Sequence, residues 1–380
     1  MKKVLLITNI PNPYRVPLFN VISKIFASKQ LHLKVIFGSE GYKRRLFTLN
    51  KEELQFDYTI LNDQAHSFSN DSEKSVFLYK GLSDVLKNEK PDAIIVSGFS
   101  SATMKVLWHA MPRRIPYIIW SGSIENESKN NSIIRKLQRK ILTTCASSFV
   151  AYGSLAKEYL INLGAPEAKV KIAMNTVDTD FYYNNTNKIR NSFSITGTPH
   201  FLYLGYLVPR KNVKLLLQAV YQLSKKRRDF ILDIVGDGSD KPELENFVQE
   251  HGIEDLVKFH GFRQKEELPN FLANSRALLF QTDFDIWGLV LNEAMASGVP
   301  CLASFNAGAT TDLIDENLTG IAINYENTTM VVEKIEFFIE NPKISAQMGQ
   351  RAAEFIRTQV NLETAANGFL EAVNIASGNN

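Results

Sequence analysis

The sequence predicts an α/β protein of two doubly wound domains facing one another across a cleft, and three observations carry that expectation. Short apolar, β-branched runs alternate with amphipathic stretches along almost the whole chain, the pattern of parallel strands joined by crossover helices. A length of 380 residues exceeds one comfortable core. The alternation lapses once, in the Asn-rich polar passage at residues 184–199, and then restarts. The division expected is residues 1–180 for the first domain, 181–199 for a linker and 200–359 for the second. A helical tail follows from about residue 360 to 380.

In the first half the strand candidates are residues 4–10, 33–37, 93–97, 117–120, 148–151 and 170–173. Amphipathic helical patterns occupy 16–28 and 74–88. The opening residues superficially resemble a signal peptide, but the apolar run is short and Pro11-Asn-Pro13 follows with no small-residue cleavage site. They read better as the first buried strand. In the second half, strands at 201–204, 230–235, 257–260, 277–280 and 300–303 alternate with helices near 212–227 and 242–251. From residue 328 onward the pattern is almost entirely helical. No stretch approaches the roughly 18 apolar residues that a membrane span needs.

Composition is that of an ordinary globular protein, 44% hydrophobic and 22% charged. The net charge of +3 conceals an asymmetry: residues 1–180 hold 25 Lys+Arg against 16 Asp+Glu, and the remainder 18 against 24. A basic first half suits an anionic acceptor or an acidic membrane surface. Lys43-Arg44-Arg45 and the run from Arg135 to Lys140 supply much of that charge. Cys145 and Cys301 are far apart, without metal or redox spacing, and read as buried thiols in a reducing compartment. His109 and His260 read as structural. No Cys/His cluster or paired-aspartate motif points to a metal, and nothing points to nucleic acid. Gly236-Asp-Gly238 lacks the third glycine of the dinucleotide fingerprint.

The chemistry concentrates between Phe280 and Pro300. A carboxylate, Asp285, lies in the loop after an apolar run; Gly288 opens a helix, and Glu293 follows inside it. Carboxylates accept from hydroxyls, and the first-turn amides at Gly288, Leu289 and Val290 can hold phosphate oxygens. Upstream, Gly205 ends a strand and permits close approach of a ligand, and Arg210-Lys211 offers two adjacent cations to a diphosphate. Hydroxyl acceptors beside phosphate holders match what a sugar nucleotide presents.

Four blocks in fixed order carry a family resemblance: Gly205-Tyr-Leu-Val-Pro-Arg-Lys211, Ile234-Val-Gly-Asp-Gly238, Val257-Lys-Phe-His-Gly-Phe262, and Asp285 through Pro300. With Ala307-Gly308 and the residues after it, they cover nearly all of residues 200–320. This half resembles the donor-binding domain of the retaining family 4 glycosyltransferases, which share the GT-B fold of two Rossmann-like domains. The resemblance implies a donor site of Gly205, Arg210, Lys211, Gly236, Phe262, Asp285, Gly288, Leu289, Val290 and Glu293. Arg210 and Lys211 would hold the diphosphate, Glu293 the ribose and Asp285 the transferred sugar; Arg210, Lys211 and Asp285 would be the catalytic set. The family usually places two glutamates eight residues apart, so Asp285 is one methylene shorter than the pattern. The usual Gly-Gly of the later loop is reduced to Ala307-Gly308, which leaves one glycine for close approach near the donor.

The first domain resembles the acceptor domain more loosely. Pro11, Pro13 and Pro17 would hold Tyr14 and Arg15 at the cleft. Ser121, Ser123 and Glu125 follow a strand, in a region where many relatives carry a histidine and this chain has none. The implied activity is transfer from a UDP- or GDP-sugar to a glycan or lipid-linked glycan, with retention and without cofactor or metal. The tail would cross back to the first domain, as it does in this fold. A cytoplasmic protein of bacterial polysaccharide or lipopolysaccharide synthesis is expected, peripheral at most to the inner membrane surface. Two other readings stay open: a non-catalytic sugar or nucleotide binder, and a sugar-nucleotide epimerase of the same fold.

Overall fold

The computed structural model describes residues 1–41, 50–61, 66–67, 75–125, 133–192 and 197–378. The chain divides into two compact units: Met1–Val177 with Leu362–Asn380, and Asp178–Asn361. Lys43-Arg44-Arg45 lies outside the described residues.

The first unit runs β1 (Lys2–Thr8), α1 (Val16–Ser28), β2 (Leu31–Phe37), β3 (Asp57–Ile60), β4 (His66–Ser67), β5 (Ser75–Val76) and α2 (Leu82–Glu89). It continues through β6 (Ala93–Ser97), α3 (Ser101–Ala110), β7 (Tyr117–Ser121), α4 (Ile133–Cys145), β8 (Ser148–Ala151), α5 (Ser154–Asn162) and β9 (Val170–Ile172). Among the described residues, seven strands form a parallel sheet in the order β3-β2-β1-β6-β7-β8-β9, and β4 pairs antiparallel with β5. Strands such as β1 and β6 are buried almost throughout, which is why they read as continuous apolar runs. The helix expected from residue 74 starts only at Leu82. Ser75–Val76 is a strand, and Gly81, at φ +79°, adopts a left-handed conformation that a helix interior excludes.

The second unit begins with α6 (Thr179–Ser192) and β10 (His200–Leu204), followed by α7 (Val213–Ser224), β11 (Ile231–Val235), α8 (Lys241–Glu250), β12 (Val257–Gly261) and α9 (Leu268–Asn274). It ends with β13 (Ser275–Phe280), α10 (Leu289–Ala296), β14 (Cys301–Ser304), α11 (Gly308–Leu313), β15 (Gly320–Ile323), α12 (Thr328–Glu340) and α13 (Pro342–Gln359). Its strands are parallel in the order β12-β11-β10-β13-β14-β15. Strand order therefore reverses between β10 and β13. In open α/β sheets the crevice outside the carboxyl ends at such a reversal is where ligands bind.

The passage expected as a linker, residues 181–199, is largely helix. Asp178 Oδ1 accepts from the Phe181 amide at 3.0 Å and caps α6. Its buried face is Thr179, Tyr182 and Thr186, continued by Arg190. Arg190 donates to the carbonyls of Leu272 and Ala273, at the end of α9, and of Ser297, which caps α10. One guanidinium thus satisfies the C-terminal carbonyls of two helices. Thr186 Oγ1 meets Ser297 Oγ at 3.0 Å. The helix docks through polar groups, so hydropathy did not reveal it.

The last helix, α14 (Leu362–Ala376), groups with the first unit. Ala365, Ala366, Gly368 and Ala372 form its inner face, and a Cβ on Gly368 would lie 2.7 Å from the Ile172 carbonyl oxygen. Small residues let the helix approach β8 and β9 closely, while Phe369 packs edge-on to Trp120 at 5.1 Å.

Candidate functional site

The loops at the carboxyl ends of the second sheet hold one another by backbone contacts. The Gly205 amide donates to the Val235 carbonyl at 3.1 Å and Leu207 to Asp237 at 3.0 Å. A Cβ on Gly236 would overlap the Gly205 carbonyl, and one on Gly238 the Leu207 carbonyl. Gly236 therefore serves this loop-to-loop approach. Gly308 behaves likewise: a Cβ there would overlap the Ile286 carbonyl, and its amide donates to Asp285 O at 3.0 Å. Its close approach is to the Asp285 loop.

Arg210 and Lys211 form a short 3₁₀ turn after β10. The Asp283 amide donates to the Arg210 carbonyl at 2.9 Å, and Asn212 Nδ2 to Asp283 Oδ2 at 2.9 Å. The loop after β10 is thereby tied to the loop after β13 across the strand reversal. Lys211 is only 4% exposed. Its ammonium lies 2.5 Å from Asp285 Oδ2 and 4.6 Å from the centre of the Phe280 ring. Arg210 Nη1 reaches the same carboxylate oxygen at 3.5 Å and donates to the Phe284 carbonyl at 3.1 Å. Burial pushes the Asp285 carboxyl pKa up, but Lys211 and Arg210 outweigh it and hold it below the usual range. In sequence Lys211 and Asp285 are 74 positions apart; the fold makes them, with Arg210, one charged cluster.

α10 opens at Gly288, whose φ of +103° places it in the left-handed region; a Cβ there would sit 2.8 Å from the Phe280 ring. Leu289 and Val290 are partly exposed in its first turn, where amides lack intrahelical acceptors. The buried Trp287 indole donates to Asn292 Oδ1 at 2.9 Å and fixes the loop to the helix. Glu293 stands one turn further on. Burial pushes its carboxyl up to about 7, against the opposing pull of a hydrogen bond from Tyr182 and the charge of Lys265. Tyr182, buried on α6, was missed in the sequence because α6 read as linker, and Lys265, in the turn between β12 and α9, was missed as well. Phe262, half-buried, directly follows β12.

In the first unit the corresponding strand reversal lies between β1 and β6. Arg15, after β1, stacks over Trp120 at 4.5 Å, donates to Thr8 Oγ1 at 3.2 Å, and donates through Nη2 to the Tyr152 hydroxyl. Tyr14 is partly exposed, 5.6 Å from the same guanidinium. Ser121 is buried, and its hydroxyl accepts from the Ser123 amide at 3.1 Å, so it holds the turn after β7. Glu125 is exposed at the edge of the described segment. Trp120 and Tyr152, which fix Arg15, gave no functional signal in sequence because both look like core aromatics. Cys301 is buried as expected, whereas Cys145 is only half-buried.

Residues 185–355 match the family of glycosyl transferases group 1. The chain is 25% identical to alpha-D-kanosaminyltransferase of Streptomyces kanamyceticus, over 47% of this chain and 46% of that protein. It is 27% identical to lipopolysaccharide 1,6-galactosyltransferase of Escherichia coli (strain K12), over 47% and 48%. The chain spans about half the length of these curated relatives. The crystal structure of Anabaena HepE in complex with UDP shares its fold, with a TM-score of 0.76 over 98% of this chain and 100% of that one, at 18% identity. Among the described residues, no helix is long and apolar enough to cross a membrane.

Proposed function

We propose that the second unit binds a nucleoside-diphosphate sugar and that the chain transfers the sugar to a hydroxyl of a glycan or lipid-linked glycan, retaining anomeric configuration. The buried Lys211 ammonium, with Arg210 beside it at the carboxyl ends of β10 and β13, is the observation that carries this reading. The family match over residues 185–355 supports it. Arg210 and Lys211, with the Leu289 and Val290 amides, would offset charge building on the departing phosphate oxygen, so no metal is invoked. Glu293 would accept from the ribose hydroxyls and Asp285 would face the transferred sugar. The acceptor hydroxyl would attack the anomeric carbon as its bond to phosphate breaks, on the same face, and the released phosphate oxygen would take the proton. Tyr14 and Arg15 would serve the acceptor. We assign the reaction to the cytoplasmic side of a bacterial membrane, in polysaccharide or lipopolysaccharide synthesis, with UDP or GDP as the donor's nucleotide.

Thermal shift against UDP-, GDP- and ADP-sugars, without added metal, tests the donor site. One nucleotide class should raise the melting temperature of the wild type and lose that effect in both Arg210→Ala and Glu293→Ala. No stabilisation by any sugar nucleotide would overturn the donor reading. Release of a new product from donor alone, with no acceptor, would replace transfer by epimerisation.

A further inference from the structure

We propose that α4 docks the chain on an anionic membrane surface, its apolar face seated among the acyl chains. α4 inverts the usual burial of an amphipathic helix. α1 buries Val16, Leu18, Phe19, Ile22 and Phe26 against the core, as a globular helix normally does. In α4 the buried residues are Leu142 and Thr143, while Ile133, Ile134, Leu137 and Ile141 are 85%, 80%, 58% and 48% exposed. At 100° per residue, these four side chains fall within about a third of the helix circumference, opposite the buried side. Scattered exposed apolar residues are ordinary, but four aligned on one helix mark an interaction surface. α3 packs against α4 and exposes Trp108, a residue suited to a membrane interface.

Charge selects the occupant. Residues 133–145 contain Arg135, Lys136, Arg139 and Lys140 and no carboxylate. Arg139 turns inward: it donates to the Tyr159 hydroxyl and lies over Phe99. Arg135, Lys136 and Lys140 are exposed, and Lys136 and Lys140 lie along one edge of the apolar stripe. Pairing α4 with a second copy of itself would cover the isoleucines but crowd like charges together. A bilayer with anionic headgroups accommodates both the stripe and the cations. Thirteen residues are too short to span a bilayer, so the helix lies in the interface plane. This docking does not depend on the donor chemistry.

Full-length protein is sedimented with vesicles of phosphatidylcholine alone, or of phosphatidylcholine with a substantial fraction of phosphatidylglycerol, at low and high salt. The wild type should bind the anionic vesicles and release as salt rises. Ile134→Asn with Leu137→Asn should weaken binding at least tenfold, and Lys136→Gln with Lys140→Gln about fivefold per lysine, all with unchanged melting temperatures. A wild type that ignores both vesicles, or binds both equally, overturns the proposal, as does an asparagine variant that binds like the wild type. A wild-type dimer that the asparagine variant dissolves, without vesicle binding, would assign the face to a second copy and also overturn it.

Discussion

The Lys211 ammonium sits 2.5 Å from Asp285 Oδ2, and Arg210 Nη1 reaches the same oxygen at 3.5 Å. The cluster carries one net positive charge, with the carboxylate drawing on the cations that a diphosphate would use. Asp285→Asn removes that competition. It should tighten binding of UDP alone by about fivefold, the order of one partly screened charge interaction. Transfer should nevertheless slow by at least about a hundredfold, the scale seen when one group that stabilises the transition state is lost. Calorimetric titration with UDP and an initial-rate assay separate the two effects. Weaker UDP binding would mean that Asp285 positions Lys211 and does not compete for it.

Burial makes the stability contributed by Glu293 depend on pH around neutrality. Its folded pKa, pushed up to about 7 by burial, lies above the ordinary carboxylate value. The folded state therefore holds the proton more tightly. The resulting stability is full below the unfolded pKa and is lost as pH rises through about 7, a change of order 3 kcal/mol. Glu293→Gln should melt close to the wild type at acid pH and above it at alkaline pH. Donor affinity should move the other way, because the ionised carboxylate is the better acceptor for ribose hydroxyls. Melting curves and donor titrations across neutral pH test both trends; wild type and Glu293→Gln responding identically to pH would refute them.

The alternation of strands and helices, and the run from Phe280 to Pro300, were legible because each is a local pattern. Buried parallel strands are apolar throughout, and a helix opened by Gly288 and ended by Gly298-Val-Pro300 marks its own bounds. β3 and β15 escaped notice: each is a four-residue edge strand, too short to show a period. α6 escaped for a different reason. Its buried positions are Thr179, Tyr182 and Thr186, with Arg190 beyond, so the side facing the core looks polar. Only the tertiary structure shows that those groups meet helix ends, and with α6 went Tyr182, the partner of Glu293. The ion pair of Lys211 with Asp285 was equally invisible, since β10 and β13 become neighbours only in the sheet.

Arg190 donates to three carbonyls at the ends of α9 and α10. Arg190→Met keeps much of the packing volume but leaves those acceptors unsatisfied in a largely buried setting. The expected loss is about 3 kcal/mol, the scale for removing a charged, multiply bonded donor. Urea denaturation should show a lower midpoint. Because Ser297 caps the helix that carries Glu293, donor affinity should fall as well. Unchanged stability would mean that water satisfies the carbonyls.

Gly122 makes room for the Tyr152 ring; a Cβ there would overlap it. Tyr152 in turn packs 5.5 Å from Trp120, and its hydroxyl accepts from Arg15. Gly122→Ala should push Tyr152 aside, cost about 2 kcal/mol through overpacking, and release Arg15 from its place over Trp120. If Arg15 serves the acceptor, the acceptor KM should rise severalfold while UDP binding to the second unit stays unchanged. Arg15→Met should reproduce the KM effect with a smaller stability loss, and initial rates at saturating donor measure both. A Gly122→Ala enzyme that melts lower but keeps its acceptor KM would confine Arg15, Trp120 and Tyr152 to packing.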